Sequence, residues 1–178
     1  MILTGKQIDK EIRNGNIRIS PYSYALMNPN SYNYRLGNVI YKVTDDVVDS
    51  KCETSYEKIL IPKTGYCLQP GTLYLGSTLE CIGSDVYSMQ LIGRSSIGRL
   101  GLFLQISAPL GHMGTYHCWT LELKVVQPLV VYPQMKIGQV SFWCVQGENN
   151  LSYEGKYWKY TEPHVSEFYQ ELKQKRDI

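Results

Sequence analysis

Short segments in which apolar and polar residues alternate recur along most of this chain, and they constrain its fold more than any other feature. Gly and Pro turn signals separate these segments every ~8 to 12 residues. Tyr, which suits half-buried sheet surfaces, occurs 15 times against three Phe. The pattern predicts a sandwich, jelly roll or barrel. The expected strands cover residues 17–19, 32–36, 39–43, 58–62, 73–82, 87–92, 102–106, 119–126, 129–132 and 139–145.

Each end of the chain carries a short helical pattern instead. Residues 4–7 have the spacing of a capping box and apolar residues four apart follow, so a helix is expected over residues 5–14. Apolar residues at helical spacing predict a second helix over residues 166–175, packed on a neighbour. No internal repeat, low-complexity tract or linker interrupts the 178 residues, and this length suits one domain. We therefore expect a single domain over residues 1–178.

Composition and charge exclude several classes of protein. Hydrophobic residues make up 43% and charged residues 19% of the chain, which is unlike disordered or collagen-like sequences. The net charge of +2 gives no reason to expect a nucleic-acid or membrane partner. No apolar run reaches the roughly 18 residues of a membrane span, and the first residues do not resemble a signal peptide. We expect a cytoplasmic protein.

The five cysteines are odd in number and have wide, irregular spacings. This arrangement predicts free, mostly buried thiols in a reducing compartment. Neither the cysteines nor the three histidines form a zinc-binding pattern. The His-x-Glu and Pro-Cys-x-x-Cys elements of zinc-dependent nucleobase deaminases do not occur in the sequence either. We therefore predict no metal ligands and no zinc.

Residues 93–102 form the most unusual segment of the chain. Two arginines, two serines and three glycines fall within these ten residues, between predicted strands. Such a loop can offer backbone N–H groups, hydroxyls and guanidinium groups to one anion, and phosphate is the natural ligand. A helical turn over residues 95–100 would add a partial positive charge at its N-terminus. A solvated turn whose arginines pair with surface acids is the alternative.

Glu122 is the second candidate, because it interrupts an apolar strand and shares a face with Thr120 and Lys124, whereas Trp119, Leu121 and Leu123 share the other face. The alternation leaves two interpretations open: an exposed side chain on the wet face of a sheet, or a carboxylate in a cleft that moves protons. Residues 156–160 are the third candidate, with basic and aromatic side chains interleaved. They can clamp a nucleotide or form an amphipathic edge segment.

Taken in their order along the chain, these three candidate segments resemble the deoxycytidine triphosphate (dCTP) deaminase family, within the trimeric dUTPase superfamily. The resemblance covers nearly the whole chain, and its most specific parts are residues 93–101 and 120–123. It also includes residues 1–8, 31–37, 68–71, 78–80, 135–139 and 155–157. The resemblance implies a mainly β fold, a distorted β-barrel or jelly roll of the dUTPase-like type with short N- and C-terminal helices. It further implies a homotrimer with active sites between subunits, and zinc-independent deamination of dCTP, or a close cytosine nucleotide, to dUTP and ammonia.

The same resemblance assigns expected roles to single residues. Glu122 would be the general base that moves a proton from water to the cytosine ring and the departing ammonia. Ser95 and the carbonyl of Ala108 would hold the water and the amino group, and Arg99 would fix Glu122 and stabilise developing charge. The expected nucleotide-binding residues are Arg94, Ser96, His112, Tyr116, Lys156, Tyr157 and Tyr160. Mg²⁺ would arrive on the triphosphate rather than in a protein cage.

The chain also departs from the family pattern. His112 stands where the family usually has an Asp that, in hydrolysing relatives, is associated with the deoxyribose and the attacking water. The aromatic residue that forms a wall beside the sugar is displaced by one position, to Tyr116. Asn33 stands where an Asp is common. Residues 158–163 replace the Gln and Gly residues that usually close on the triphosphate in the family. These departures argue against pyrophosphate hydrolysis and predict weak discrimination between deoxyribo- and ribonucleotides.

Two alternatives to a simple deaminase therefore stay open. One is a dUTP diphosphatase or a bifunctional deaminase and diphosphatase. The other is a catalytically weak homologue that binds a nucleotide or a protein partner.

Overall fold

A computed structural model describes residues 1–104, 108–148, 153, 155, 157 and 160–174 of the chain. Three helices and a 3₁₀ turn at Tyr24–Leu26 accompany twelve strands in this part of the chain. The helices are α1 (Gly5–Arg13), α2 (Ser95–Gly98) and α3 (Phe168–Gln174). The strands are β1 (Ile17–Ser20), β2 (Tyr32–Arg35), β3 (Val39–Val43), β4 (Tyr56–Leu60), β5 (Tyr66–Leu68), β6 (Tyr74–Ser84), β7 (Tyr87–Gly93), β8 (Leu102–Phe103), β9 (Leu110–Gly111), β10 (Thr115–Val125), β11 (Leu129–Val131) and β12 (Lys136–Cys144).

Two larger antiparallel sheets surround one core. The first has the order β4-β3-β6-β10-β8, with β1 also paired to β6, and the second has the order β2-β12-β7-β9. A small sheet of β11 and β5 completes the set. Residues from both larger sheets are fully buried in the core, including Tyr34 of β2, Leu121 of β10 and Phe142 of β12. The two sheets therefore close on each other as a distorted barrel.

Most predicted elements are confirmed, with shifted ends. Helix α1 begins after Thr4, whose hydroxyl accepts a hydrogen bond from the backbone N–H of Gln7 at 3.3 Å, as a capping residue does. The C-terminal helix is present as α3. Strand β10 begins at Thr115, four residues before the predicted start, because its first residues pair with the end of β6. Strands β5, of three residues, and β9, of two residues, are not among the predicted strands.

The prediction of free, mostly buried cysteines is wrong. Cys81 of β6 and Cys118 of β10 are directly opposite each other in the sheet and form a disulfide, with Cα atoms 4.0 Å apart. Strand pairing brings them together across a sequence separation of 37 residues, which the spacing of the cysteines does not reveal. The free cysteines of the described residues are all exposed: Cys52, Cys67 and Cys144.

Within the described part of the chain, no helix has the length and apolar character needed to cross a bilayer.

Candidate active site

Glu122 lies on β10 and lines a cavity of about 550 Å³. Thr120 lines the same cavity, whereas Leu121 and Leu123 face the core with 0% exposure. The predicted alternation around Glu122 is therefore confirmed for these positions. The Glu122 side chain is half-buried rather than exposed, which favours the interpretation of a carboxylate in a cleft.

The surroundings of Glu122 change its acidity. Burial raises the pKa of the Glu122 carboxyl above its ordinary value, because removal from water disfavours the charged form. A carboxyl with a raised pKa accepts and returns protons more readily near neutral pH. The cavity thus provides the environment that a proton-transferring carboxylate needs.

An irregularity in the pairing of β6 with β10 shapes the wall beside Glu122. Cys118 lies opposite Cys81, but Thr120 lies opposite Ser77, so β6 has two more residues than β10 over this span. Extra residues of this kind interrupt the ladder and change the direction of the side chains that follow.

Trp119 occupies the interrupted position. Its backbone N–H donates to the hydroxyl of Thr78 at 2.8 Å, and its indole Nε1–H donates to the carbonyl of Ile82 at 3.0 Å. As a result Trp119 and Thr120, which are neighbours in sequence, both line the cavity. The alternation had predicted Trp119 on the opposite face from Glu122, and the pairing irregularity is the reason that this prediction is wrong.

All three histidines of the chain line the Glu122 cavity. His117 is buried against Trp119, with ring centroids 4.2 Å apart, and burial lowers the pKa of its imidazole. His112 is exposed at the rim and stacks on Tyr153, with ring centroids 5.1 Å apart. His164 enters from the C-terminal end of the chain.

The C-terminal segment (residues 160–174) lies against the sheet next to this cavity. Glu162 accepts a hydrogen bond from Lys58 Nζ at 2.6 Å and from the hydroxyl of Tyr41 at 3.1 Å. Val165 is 6% exposed and packs with Tyr41 in a small apolar cluster. The backbone N–H of His164 donates to the Thr120 hydroxyl at 3.3 Å. These contacts attach the segment to β3, β4 and β10.

The loop of arginines and serines forms a second cavity, of about 490 Å³. Residues 95–98 form one helical turn, α2, as the sequence suggested. Four predicted site residues line this cavity: Arg94, Ser95, Ser96 and Arg99. Among its described lining residues there is no Asp or Glu, so the two guanidinium groups give the cavity a positive character suited to phosphate.

Asn33 holds the wall of this second cavity. Its side-chain amide donates to the carbonyl of Leu26 and to the side-chain oxygen of Asn28, both at 3.0 Å. Asn33 is 5% exposed. The residue that replaces a common family Asp therefore has a structural role in this chain.

The structure separates the predicted site residues into two sets. Glu122, Ala108, His112 and Tyr157 line the first cavity, and the Arg94–Arg99 loop lines the second. Within one chain, Arg99 does not share a cavity with Glu122.

The remaining predicted contacts have three different outcomes. Tyr160 stacks on the imidazole of His164, with ring centroids 3.7 Å apart. Lys156 lies outside the described residues. Tyr116 does not line the cavity, because its strand neighbour His117 does and successive side chains of a strand point to opposite faces. Its ring lies under the guanidinium of Arg18, with the Cζ atom 4.8 Å from the ring centroid. Within one chain Tyr116 therefore does not line the same cavity as His112, and its contact with a nucleotide stays a prediction.

Some residues of the cavity were not predicted from the sequence. His164 of the cavity and its partner Glu167, which does not line the cavity, carry no familiar motif, and their spacing of three residues was the available signal. His117 and Trp119 are hidden in a strand whose register only the structure reveals. Among the residues that the structure describes, no group of three or more His, Cys, Asp or Glu side chains is arranged to hold a metal ion.

A family model described as dCTP deaminase-like matches residues 2–145 of this chain. A protein of Hathewaya histolytica named dCTP deaminase, dUMP-forming, is 44% identical over 157 residues, which are 88% of this chain and 91% of the relative. A Leptospira biflexa protein of the same name is 43% identical over 88% of this chain and 90% of the relative. A Rhodopirellula baltica protein named dCTP deaminase is 38% identical over 97% of this chain and 86% of the relative.

A solved structure has a similar fold. The crystal structure of 2′-deoxycytidine 5′-triphosphate deaminase from Agrobacterium tumefaciens matches with a TM-score of 0.63 at 19% sequence identity. The match covers 79% of this chain and 47% of that chain, so this chain spans about half the length of the solved one. The likeness confirms the predicted fold class, a mainly β distorted barrel of the dUTPase-like type.

Proposed function

Because this chain belongs to the dCTP deaminase-like family, we propose that it is an enzyme that deaminates dCTP by hydrolysis. The observation that carries the proposal is Glu122, a half-buried carboxyl with a raised pKa in a cavity of about 550 Å³. Hydrolytic deamination needs a group that takes a proton from water and delivers it to the ring and the leaving ammonia. Glu122 is the one Asp or Glu among the described residues that line this cavity.

The product of the proposed reaction is dUMP, which corrects the expectation of dUTP. That expectation came from the family resemblance, together with His112, which stands where the family usually has an Asp and argued against pyrophosphate hydrolysis. The relatives that are 43–44% identical over 88% of this chain are named dUMP-forming. The proposed reaction therefore has two hydrolytic steps, release of ammonia from the cytosine ring and release of pyrophosphate from the triphosphate.

The proposed active site lies between the subunits of a homotrimer. A triphosphate needs cationic partners and the deamination needs a carboxylate. The described lining of the Glu122 cavity contains no Lys or Arg, whereas the second cavity contains Arg94 and Arg99 and no carboxylate. Each chain thus offers two half-sites of complementary chemistry: the Glu122 cavity and the cavity of the Arg94–Arg99 loop. A closed symmetric assembly can join the Glu122 half-site of one chain to the arginine half-site of its neighbour.

In this assembly the roles of the residues follow from their chemistry. Glu122 takes one proton from water while the water oxygen bonds to C4 of the cytosine ring, and it gives this proton to the ring nitrogen N3. Glu122 then moves the second proton from the new C4 hydroxyl to the amino group, and the bond between C4 and this nitrogen breaks as the C4 carbonyl forms and ammonia leaves. Ser95 and the carbonyl of Ala108 hold the water and the amino group. Arg99 of the neighbouring subunit orients Glu122 and stabilises the developing charge, while Arg94 binds phosphate.

The other predicted contacts complete the nucleotide site. We assign Ser96, with Arg94, to the triphosphate, and Lys156 and Tyr157 to the phosphate or the base. Tyr160 acts through its contact with His164. Mg²⁺ would be bound by the triphosphate, because the described lining of both cavities holds a single carboxylate in total and Mg²⁺ in such sites keeps waters and phosphate oxygens as ligands. No step of this mechanism uses zinc.

The proposal is tested by incubating the EDTA-treated protein with dCTP and added Mg²⁺ and measuring ammonia, pyrophosphate and nucleotides. We expect one ammonia and one pyrophosphate for each dUMP formed. Parallel reactions with CTP, dCMP and dUTP define the substrate, and the CTP reaction checks the expected weak discrimination between sugars. Nucleotide binding without ammonia release would instead identify a catalytically weak homologue. Activity that depends on tightly bound zinc would contradict the proposal that Glu122 acts without zinc.

A further inference from the structure

The proposed reaction to dUMP requires two separate proton acceptors. In dCTP, C4 of the base and the phosphorus atoms lie on opposite sides of the sugar, so one side chain in one binding mode cannot contact the waters at both centres. Glu122 is assigned to the base, and no second Asp or Glu is found among the described lining residues of its cavity. The second acceptor must therefore be a group of another type, and the cavity contains three imidazoles.

His164 is held in the way that a general base requires. Its Nε2 lies 2.9 Å from Oε1 of Glu167, and a carboxylate can only accept a hydrogen bond, so the ring proton is on Nε2 and Nδ1 is the proton acceptor. Tyr160 stacks on the ring at 3.7 Å and donates its hydroxyl to the same Glu167 oxygen at 2.7 Å. The backbone N–H of Glu167 in turn donates to the hydroxyl of Tyr157 at 3.0 Å. An oriented carboxylate–histidine pair of this kind recurs in enzymes that activate water or a hydroxyl.

The position of His164 relative to Glu122 fits two reaction centres on one nucleotide. The backbone N–H of His164 donates a hydrogen bond to the hydroxyl of Thr120, which lies two residues before Glu122 on the same strand. Two residues along a strand span about 7 Å. The backbone of His164 therefore lies beside Thr120, about 7 Å along the strand from the backbone of Glu122, and both residues line the same cavity.

The other two histidines are less suited to this role. His117 is 9% exposed and its Nδ1 lies 3.2 Å from the carbonyl of Cys118, which places the ring proton on that nitrogen. His112 stacks on Tyr153 but, among the described residues, has no carboxylate partner that fixes its tautomer. Of the three rings, His164 alone combines a cavity position with an orienting carboxylate in the described structure.

We propose that His164, positioned by Glu167, is the general base for pyrophosphate release, an inference that rests on the proposed conversion of dCTP to dUMP. Nδ1 of His164 takes a proton from water while the water oxygen bonds to the α-phosphorus. The bond between the α-phosphorus and the α–β bridging oxygen breaks, and pyrophosphate leaves with its electron pair. The imidazolium then returns the proton to solvent.

The test compares the two half-reactions in His164→Gln, a variant that keeps a polar side chain but has no basic nitrogen. With dCTP and Mg²⁺ we expect ammonia release within about threefold of wild type and a loss of pyrophosphate release on the order of 10²-fold or more, so that dUTP accumulates. With dUTP as substrate the same loss of pyrophosphate release is expected. Glu167→Gln should shift the product ratio in the same direction by about 10- to 100-fold, as loss of an orienting partner does.

Glu162→Ala tests the anchoring of the imidazole separately from its chemistry, because it loosens the C-terminal segment from Lys58 and Tyr41 without changing His164 itself. Since this segment carries His164 and not Glu122, pyrophosphate release should fall more than ammonia release, but by less than in His164→Gln. A His164→Gln enzyme that still forms only dUMP, or that loses both steps in equal proportion, overturns the assignment. A wild-type enzyme that stops at dUTP also overturns the assignment. If wild type instead releases no ammonia from dCTP but still hydrolyses dUTP through His164, only the proposed deamination is contradicted.

Discussion

Glu122 is the residue whose environment and proposed role are most closely connected. The Glu122→Gln substitution keeps the shape of the side chain but removes its ability to accept a proton. We expect deamination to fall by on the order of 10²–10⁴-fold or more, with nucleotide binding and assembly retained. Ammonia release measures deamination, and the Kd of a non-hydrolysable dCTP analogue measures nucleotide binding.

The same substitution should change the pH dependence of stability. Burial raises the pKa of Glu122 in the folded protein above its unfolded value. The contribution of this group to stability is therefore fully present below the unfolded pKa and is lost as the pH rises through the folded pKa. Relative to wild type, the Tm of Glu122→Gln should rise between pH 4 and pH 8. Near-normal turnover would remove Glu122 from the mechanism, and a Tm difference that does not grow with pH would contradict the burial argument.

At the scale of an element, the irregular middle of β6 depends on a buried ion pair. Glu80 is 0% exposed, and its two carboxylate oxygens accept from the backbone N–H of Arg35 at 2.8 Å and from its guanidinium Nε at 2.6 Å. The pair joins β6 to β2 at the span in which β6 has two more residues than β10. It thereby supports the strand that carries Trp119, Thr120 and Glu122.

Removing one partner of this pair should destabilise the whole fold. Glu80→Ala leaves the guanidinium and an N–H group of Arg35 without their acceptor, and we expect a loss of about 3–5 kcal/mol in the free energy of unfolding. Asp85→Ala is the control, because the Arg18–Asp85 pair at 2.9 Å is exposed and should contribute no more than about 1 kcal/mol. Urea unfolding of both variants measures the difference. Equal losses would show that Glu80 is not a structural anchor.

At the scale of the whole molecule, the separation of Arg99 from Glu122 predicts complementation between subunits. In the proposed homotrimer, assemblies of Arg99→Ala alone or of Glu122→Gln alone should have little activity. After unfolding and joint refolding of the two variants, some interfaces combine an intact Arg99 with an intact Glu122. For random assembly of an equimolar mixture we expect about a quarter of wild-type activity.

The control for this experiment is a mixture of Arg99→Ala with Arg94→Ala, whose changes lie in the same half-site and cannot complement fully at any interface. Sedimentation velocity establishes that mixed assemblies form. Trimers that mix but recover no ammonia release would contradict a site shared between subunits.

The sequence by itself determined the fold class and the local chemistry. Alternation with period two placed Leu121 and Leu123 in the core and Glu122 on the other face, since the pleat of a strand imposes that separation wherever the ladder is regular. The capping residue of α1 and the helical turn of the Arg94–Arg99 loop are likewise local features, and they follow from nearby residues. Such properties depend on neighbours in sequence, so the sequence is enough to predict them.

Tertiary structure alone decided which distant residues meet. Pairing of β6 with β10 joined Cys81 to Cys118, and the irregularity in the same pairing turned Trp119 toward the cavity. Attachment of the C-terminal segment brought His164 to the wall that carries Glu122. These contacts depend on strand register and on long-range packing, whose energies are summed over many residues and leave no local pattern in the sequence.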